Sequence, residues 1–497
     1  MSPDANKPLD MARVKIDPLV ALSVPAVLAR RRRALAFARV EGKVLVACAN
    51  PEDSALLRAI QRQFREPVEL LAADPQALQG ALDRTYGDEG GARSSGGARR
   101  SGGMRRSGGE GEDAVSLCED LLRAAVLRQA SDVHLDPERE GVRVRFRVDG
   151  VLEDYSRLGS EVMASVLSRF KVLSDMDIAE RRAPQDGRFS FEYREGKKVE
   201  LRTATLPTQH GERLTLRLLA LETEALTLER LGMDQAQRDE VQTQIHKPHG
   251  LFLVTGPTGS GKSTTLYAAL RHLVAERPVN VITVEDPIEF DIQGVAQAEV
   301  DSGDKASFSR LLRSILRHDP DVLMIGEIRD GESADVALKA ALTGHLVFST
   351  LHTNSAPGAV TRLADLGVER FLIAATLRLA LAQRLVRRLC ESCRTPRALE
   401  PAEAEALGIP AGAELQVFEP KGCLYCAGRG YVGRAAVFEL LPAGPELAAR
   451  IVAGDDEGKL LEHMSAAGLP TLVQSARARL EAGTTSVAEA LSAVTVW

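Results

Sequence analysis

Four short runs constrain this chain more than any other feature: LFLVTG at 251–256, NVITVED at 280–286, DVLMIGE at 321–327 and HLVFSTLH at 345–352. Each is apolar through its middle instead of alternating, so both faces of each strand must be covered. Helical patterns lie between them. Strands of this kind, separated by helices, build a mostly parallel sheet with helices packed on it, an α/β architecture.

A different pattern precedes it. VRVRFRVDGVLE alternates strictly, with Val142, Val144, Phe146 and Val148 on one face and arginines on the other, and Asp149-Gly150 supplies a tight hairpin turn. VELRTAT and RLTLRLL continue the alternation, predicting a half-buried antiparallel sheet with a basic outer face. Earlier still, KVLVACAN followed by PEDSALLRAIQRQF reads as a small α/β module. Between these modules, from Gly87 to Glu112, the chain is mostly Gly, Ser and Arg. Almost nothing there can be buried, so a flexible linker is expected, with Arg93, Arg99, Arg100, Arg105 and Arg106 serving solubility or an anionic partner.

The predicted organisation is an N-terminal partner-docking α/β domain (1–86), the linker (87–112), an α+β domain with the antiparallel sheet (113–232) and the parallel-sheet core (233–389). A cysteine-bearing insertion (390–434) and a C-terminal helical region (435–497) complete it. Three or four units suit 497 residues. No apolar run is long enough to span a bilayer; Leu19 to Ala29 is interrupted by Ser23 and Pro25 and followed, not preceded, by Arg30 to Arg33. A cytoplasmic chain that meets membranes through partners is the expectation. The net charge of -6, and arginines with no aromatic residues among them, argue against a DNA-associated translocase or nucleic-acid binding module.

Gly256, Pro257, Thr258, Gly259, Ser260, Gly261, Lys262, Ser263 and Thr264 form G-x-x-x-x-G-K-S-T between an apolar strand and a helix. Glycines let successive N–H groups turn toward phosphate oxygens, and the helix adds the positive end of its dipole. Lys262 is expected at the β and γ phosphates of ATP and Ser263 at Mg2+. Hydrolysis needs a carboxylate near the attacking water. Glu285, Asp286 and Glu289 in TVEDPIEF and Glu327 in MIGEIRD are the candidates, with Glu327 preferred as general base because it follows directly from an apolar strand end. A glycine, Gly326, stands where many phosphate-loop ATPases place a metal-binding aspartate. His345 and His352 bracket LVFSTL; they are either satisfied structural groups or sensors of the γ phosphate and a subunit boundary.

Cys390, Cys393, Cys423 and Cys426 make two C-x-x-C pairs, enough for a closed tetrahedral Zn2+ site of structural role. A redox pair is the rival, but no thioredoxin-like pattern accompanies it.

From about Ser131 to Arg434 the chain resembles the secretion ATPases of bacterial type II secretion and type IV pilus assembly. SDVHLDP, FRVDG, APQDGR, TLPTQHGER, GPTGSGKSTTLY, TVEDPIEF, GEIRD, LTGHLVFSTLHTN and AQRLVRRLC carry the resemblance. It implies a RecA-like ATPase core preceded by a PAS-like α+β domain, and a homo-hexamer holding ATP between the two middle modules. It assigns Glu285, Asp286 and Glu289 to an aspartate box, Glu327 to the Walker B segment, and His345 and His352 to a histidine box. Arginines matching Arg202, Arg217, Arg313 and Arg317 are implied to meet nucleotide phosphates, and the cysteine pairs to form a metal-binding insertion. The implied partners are the L-type and F-type inner-membrane proteins of the secretion platform, on its cytoplasmic face. ITVEDPIEFDI and the single N-terminal module favour the type II branch over pilus assembly, while the Arg-rich linker departs from the family pattern.

Overall fold

A computed structural model describes residues 8–40, 42–86, 110–194, 196–219, 227–300, 308–410 and 415–494. The expected linker at 87–112 falls almost wholly outside the described residues. The chain forms two compact units: residues 1–221 with 390–394 and 421–432, and residues 222–389 with 395–420 and 433–497.

The first unit holds two sheets. Strands β1 (Ala34–Val40), β2 (Lys43–Cys48) and β3 (Val68–Ala72) lie in that order, the first pair antiparallel and the second parallel. Their core includes Phe37, Val46, Ile60 and Leu78. The larger sheet comprises β4 (Ala130–Glu138), β5 (Gly141–Val148), β6 (Val151–Leu158), β7 (Gln185–Arg194), β8 (Lys197–Thr208) and β9 (Gly211–Leu218). These six strands run in the order β6-β5-β4-β9-β8-β7, antiparallel throughout. Alternation decides which face is buried: Val142, Val144, Phe146 and Val148 pack inward with Leu201, Leu214, Leu216 and the helix Ser160–Leu173. The β5–β6 turn has Asp149 at φ 50 and Gly150 at φ 87, the two left-handed positions that match a hairpin's twist.

The second unit is built on seven strands: β10 (Gly250–Thr255), β11 (Val281–Glu285), β12 (Val295–Glu299), β13 (Val322–Ile325), β14 (Leu346–Leu351), β15 (Leu377–Leu389) and β18 (Tyr431–Pro442). Their order is β12-β11-β13-β14-β10-β15-β18, and every pair from β12 to β15 is parallel. The apolar runs are thus β10, β11, β13 and β14, all but wholly buried. Strands β16 (Thr395–Ala398) and β17 (Gln416–Glu419) form a separate antiparallel pair in the insertion. The expected helical region at 435–497 opens on strand, since β18 runs to Pro442, and becomes helical from Pro445. Among the described residues no helix is long and apolar enough to cross a membrane.

Candidate nucleotide site

In a parallel sheet the loops leaving the carboxyl ends of the strands gather at one edge. The loop after β10 is the glycine-rich one. Gly256, Gly259 and Gly261 adopt φ of 151, 80 and 89, values that side chains rarely permit. A Cβ at Gly256 would stand 2.5 Å from the Gln383 carbonyl oxygen, and one at Gly261 2.7 Å from Gln383 Nε2. Strand β15 therefore forms the floor beneath the loop, and only glycine fits against it.

Lys262 starts the helix Lys262–Glu276. Its Nζ donates to the carbonyl oxygens of Gly256 at 2.8 Å and Pro257 at 3.0 Å. Burial drives its pKa down to about 8, with Arg384 acting in the same direction and Glu327 opposing. An ammonium held this way gains charge partners when phosphate arrives. Ser260 Oγ is buried without a hydrogen-bond partner among the described residues, and Ser263 lies exposed at the helix start. The orphan hydroxyl, the glycine cradle and the half-desolvated lysine fit a polyphosphate.

Glu327 follows β13, His352 follows β14 and Asp286 follows β11. Glu327 Oε2 lies 3.1 Å from His352 Nε2, while its Oε1 accepts from Arg329, whose Nη1 also reaches Asp286 Oδ2 at 3.3 Å. The sheet thus brings Glu327, Asp286 and His352 to the edge where the phosphate loop sits. Each carboxylate oxygen keeps a further acceptor direction, so Glu327 can still take a proton from water.

Glu285 is placed differently from the expectation of a group beside the attacking water. It is 4% exposed. Tyr267 donates to one oxygen; Thr283 Oγ1 at 2.6 Å and Gln297 Nε2 at 3.1 Å donate to the other. The residue closes β11 and ties β12 and the phosphate-loop helix together; three of its lone-pair directions are taken and its burial keeps solvent from the remaining one. Glu289 joins the same network through its backbone N–H, which donates to Tyr267 Oη at 3.2 Å.

His345 is not brought to this edge. It precedes β14, donating Nδ1–H to the Ala340 carbonyl at 2.9 Å, so the six-residue strand separates it from His352 by about 20 Å. Arg313 pairs with Glu332 at 2.5 Å, and Arg317 bonds the Arg313 carbonyl and Ser314. Leu312 and Ile315 form the buried side of the helix Phe308–Ile315, which leaves Arg313 exposed on it, and Arg317 stands exposed in the turn that follows.

Sequence reasoning overlooked two residues at the loop. Gln383 is buried and its Oε1 accepts from Thr265 Oγ1 at 2.6 Å; Arg384 donates to the Asn354 carbonyl at 2.8 Å beside the loop. Both lie within AQRLVRRLC, but no spacing rule joins them to a loop about 120 residues earlier.

In the other unit, Arg202 and Arg217 are direct cross-strand partners on β8 and β9. Register extends the row: Arg188 faces Arg202, and Asp132 faces both Arg217 and Arg147. Directly opposed residues share a face. Three arginines stand side by side there, with the buried Asp132 accepting from Arg217 Nε at 2.9 Å. Arg188 is the member that sequence reasoning missed.

The four cysteines form one cluster. Cys390–Cys423, Cys393–Cys426 and Cys423–Cys426 sulfurs are each 3.8 Å apart. Disulfides require about 2 Å. Tetrahedral Zn–S bonds place sulfurs about 3.8 Å apart, so the set fits a Zn2+ ion. Burial would raise the Cys426 thiol, yet N–H groups of Cys423 and Gly430, each 3.1 Å from its sulfur, outweigh that and hold it below its ordinary value. Within the first unit the neighbouring Leu424 and Tyr425 pack on the N-terminal core, and Arg429 lies 3.9 Å from Asp149 and 3.7 Å from Glu153.

Residues 110–492 match the family described as type II/IV secretion system protein, and residues 7–92 match the MshEN domain. The chain is 39% identical over 495 residues to type II secretion system protein E of Pseudomonas aeruginosa, covering 95% of this chain and 98% of that one. It is 35% identical over 491 residues to the type IV pilus assembly ATPase PilB of Myxococcus xanthus, covering 95% and 86%. The solved structure of the pilus retraction motor PilT with bound ADP superposes with a TM-score of 0.53 at 27% identity, covering 76% of this chain and 96% of that one.

Proposed function

Since the chain belongs to the type II/IV secretion system protein family and is an ATPase with a RecA-like core, we propose that it works as the cytoplasmic motor of type II protein secretion, driving pseudopilus assembly. The observation that carries this reading is the gathering of Glu327, His352 and Asp286 at the strand edge that also bears the phosphate loop.

The loop N–H groups and the start of the helix Lys262–Glu276 bind the triphosphate of ATP. Lys262 exchanges its two carbonyl partners for β and γ phosphate oxygens, placing its charge where negative charge develops. Glu327 orients the attacking water and accepts its proton; His352 and Arg329 fix the carboxylate's direction. Glu285 acts as a positioning residue through Tyr267. The Ser263 hydroxyl would hold Mg2+, which when bound neutralises phosphate charge. The four cysteines would hold Zn2+ in a closed, structural site.

The working assembly in this proposal is a homo-hexamer docked through residues 1–86 on inner-membrane platform proteins. Arg202, Arg217, Arg313 and Arg317 meet phosphates as the ring closes, in the manner of arginine fingers. Hydrolysis is then coupled to movement because one nucleotide holds groups from several modules.

The match to PilB over most of the chain favours a pilus assembly ATPase as the second reading. Glu327→Gln tests both chemistry and branch. Purified full-length variant should bind ATP within a few-fold of the original and release phosphate about 100- to 10,000-fold more slowly. In cells it should block protein export; normal export with lost pili would move the assignment to pilus assembly. Unchanged phosphate release would remove Glu327 from the role of base.

A further inference from the structure

Outside the nucleotide and cysteine sites, His246, His272 and Glu276 bring three metal-ligating side chains together in the second unit. His246 follows the helix Gln235–Ile245, while His272 and Glu276 occupy the last two turns of the helix Lys262–Glu276. One ligand atom from each lies within 4.8 Å of the other two. Glu276 Oε2 is 2.9 Å from His246 Nε2 and 3.4 Å from His272 Nε2, and the two rings meet edge to face with centroids 5.6 Å apart.

The hydrogens of the cluster show that it needs a cation. His246 Nδ1 lies 2.6 Å from the Gln242 carbonyl oxygen, which can only accept. Nδ1 must therefore carry a hydrogen, and in the neutral ring Nε2 presents a lone pair. That lone pair faces a carboxylate oxygen at hydrogen-bond distance, acceptor against acceptor. Either an added proton or a metal cation must stand between them. An imidazole fixed by a backbone carbonyl at one nitrogen, with the other turned toward a carboxylate and a second imidazole, is the usual arrangement of a metal-binding histidine.

Geometry and field agree. Tetrahedral Zn2+ with bonds of about 2.0–2.1 Å sets its donors about 3.3 Å apart, between the two separations found here. Both helices end at the cluster, so their carbonyl-rich termini favour a cation; one of these carbonyls, that of His246, already accepts from Arg277 Nη1 at 3.4 Å. His272 is well covered, with 17% of its side chain exposed, while His246 and Glu276 remain open to solvent at 36% and 50%. An ion can therefore enter and keep water as its fourth ligand.

We propose that His246, His272 and Glu276 form a second, reversible site for a divalent transition metal, read here with Zn2+ as the probe. Two imidazoles and one carboxylate suit zinc and its neighbours better than calcium or magnesium. The bound ion would staple the end of the helix Gln235–Ile245 to the far end of the helix that begins at the phosphate loop, a direct mechanical link to Lys262.

Full-length protein equilibrated against low-micromolar free Zn2+ and assayed by elemental analysis tests the site. His246→Ala/His272→Ala should hold one zinc fewer per chain than the original protein. Glu276→Gln should weaken that ion by at least about tenfold while preserving side-chain shape. Cys423→Ser/Cys426→Ser should leave the difference intact, so a failure of zinc at the cysteines stays distinguishable. The Tm of the unmodified chain should rise on adding Zn2+, and the rise should shrink in Glu276→Gln. Equal zinc content in the original and the double histidine variant, or an equal Tm shift in Glu276→Gln, would overturn the site.

Discussion

The two large sheets assemble their functional residues in opposite ways. In the parallel sheet the chemistry collects where strands end. Each of β10, β11, β13 and β14 delivers a few consecutive residues to one edge: the glycine-rich loop, Asp286, Glu327 and His352. In the antiparallel sheet the arginines lie on a face, one per strand, from Arg188 through Arg202 to Arg217. A strand end keeps its motif contiguous in the chain. A sheet face scatters its motif over many positions and reassembles it by register. Proteins with both designs are therefore half legible to motif reading.

Three experiments can break or sharpen this contrast. The largest effect is expected at the contiguous motif: Lys262→Ala should slow ATP hydrolysis about 100- to 1,000-fold, measured as phosphate release by full-length protein, because one preorganised cation on the transition state is lost. Activity near the original would mean that the loop is only a binding turn.

An intermediate effect is expected on the sheet face. Arg202→Ala or Arg188→Ala should lower hydrolysis about 10- to 100-fold, the worth of a charge-assisted hydrogen bond to phosphate. Stability should move by no more than about 1 kcal/mol, the worth of a cross-strand pair, in the same variants. Lower Tm with unchanged hydrolysis would make the row a structural feature and end the comparison.

The smallest effect concerns pH. Lys262 titrates near pH 8 because burial disfavours its charged form, and phosphate must return the proton on binding. Below pH 8 the ammonium is already present and ATP affinity should be flat. Above it, binding takes up one proton and Kd should rise up to about tenfold per pH unit. The sign for stability is the reverse: with the folded pKa below the unfolded one, Lys262 costs stability below pH 8, and this cost fades as pH rises from there toward 10.5. A Kd independent of pH between 8 and 9.5, by fluorescent-nucleotide titration, would remove Lys262 from this role.

Much of the parallel sheet was legible because its strands are apolar on both faces, and β10, β11, β13 and β14 match the four runs. Strand β15 was not. LRLALAQRLVRRL is rich in strong helix formers, and only its place between β10 and β18 makes it a strand. That hidden strand carries Gln383 and Arg384, which is why the floor and flank of the phosphate loop escaped notice. Glu285 shows the converse. Its strand-end position was readable, but Tyr267 is 18 residues away and their bond exists only once the helix folds over β11.

By itself the sequence determined the local chemistry: glycines that admit positive φ around a lysine, thiol pairs spaced to grip one ion, and alternation that turned one sheet face inward. These depend on neighbours along the chain, and neighbours are what a sequence states. Tertiary structure alone decided which carboxylate stayed available, which histidine reached the strand edge, and that three distant arginines share a row. Each of those rests on strand order, register or burial, which arise from packing the whole chain and have no short-range code.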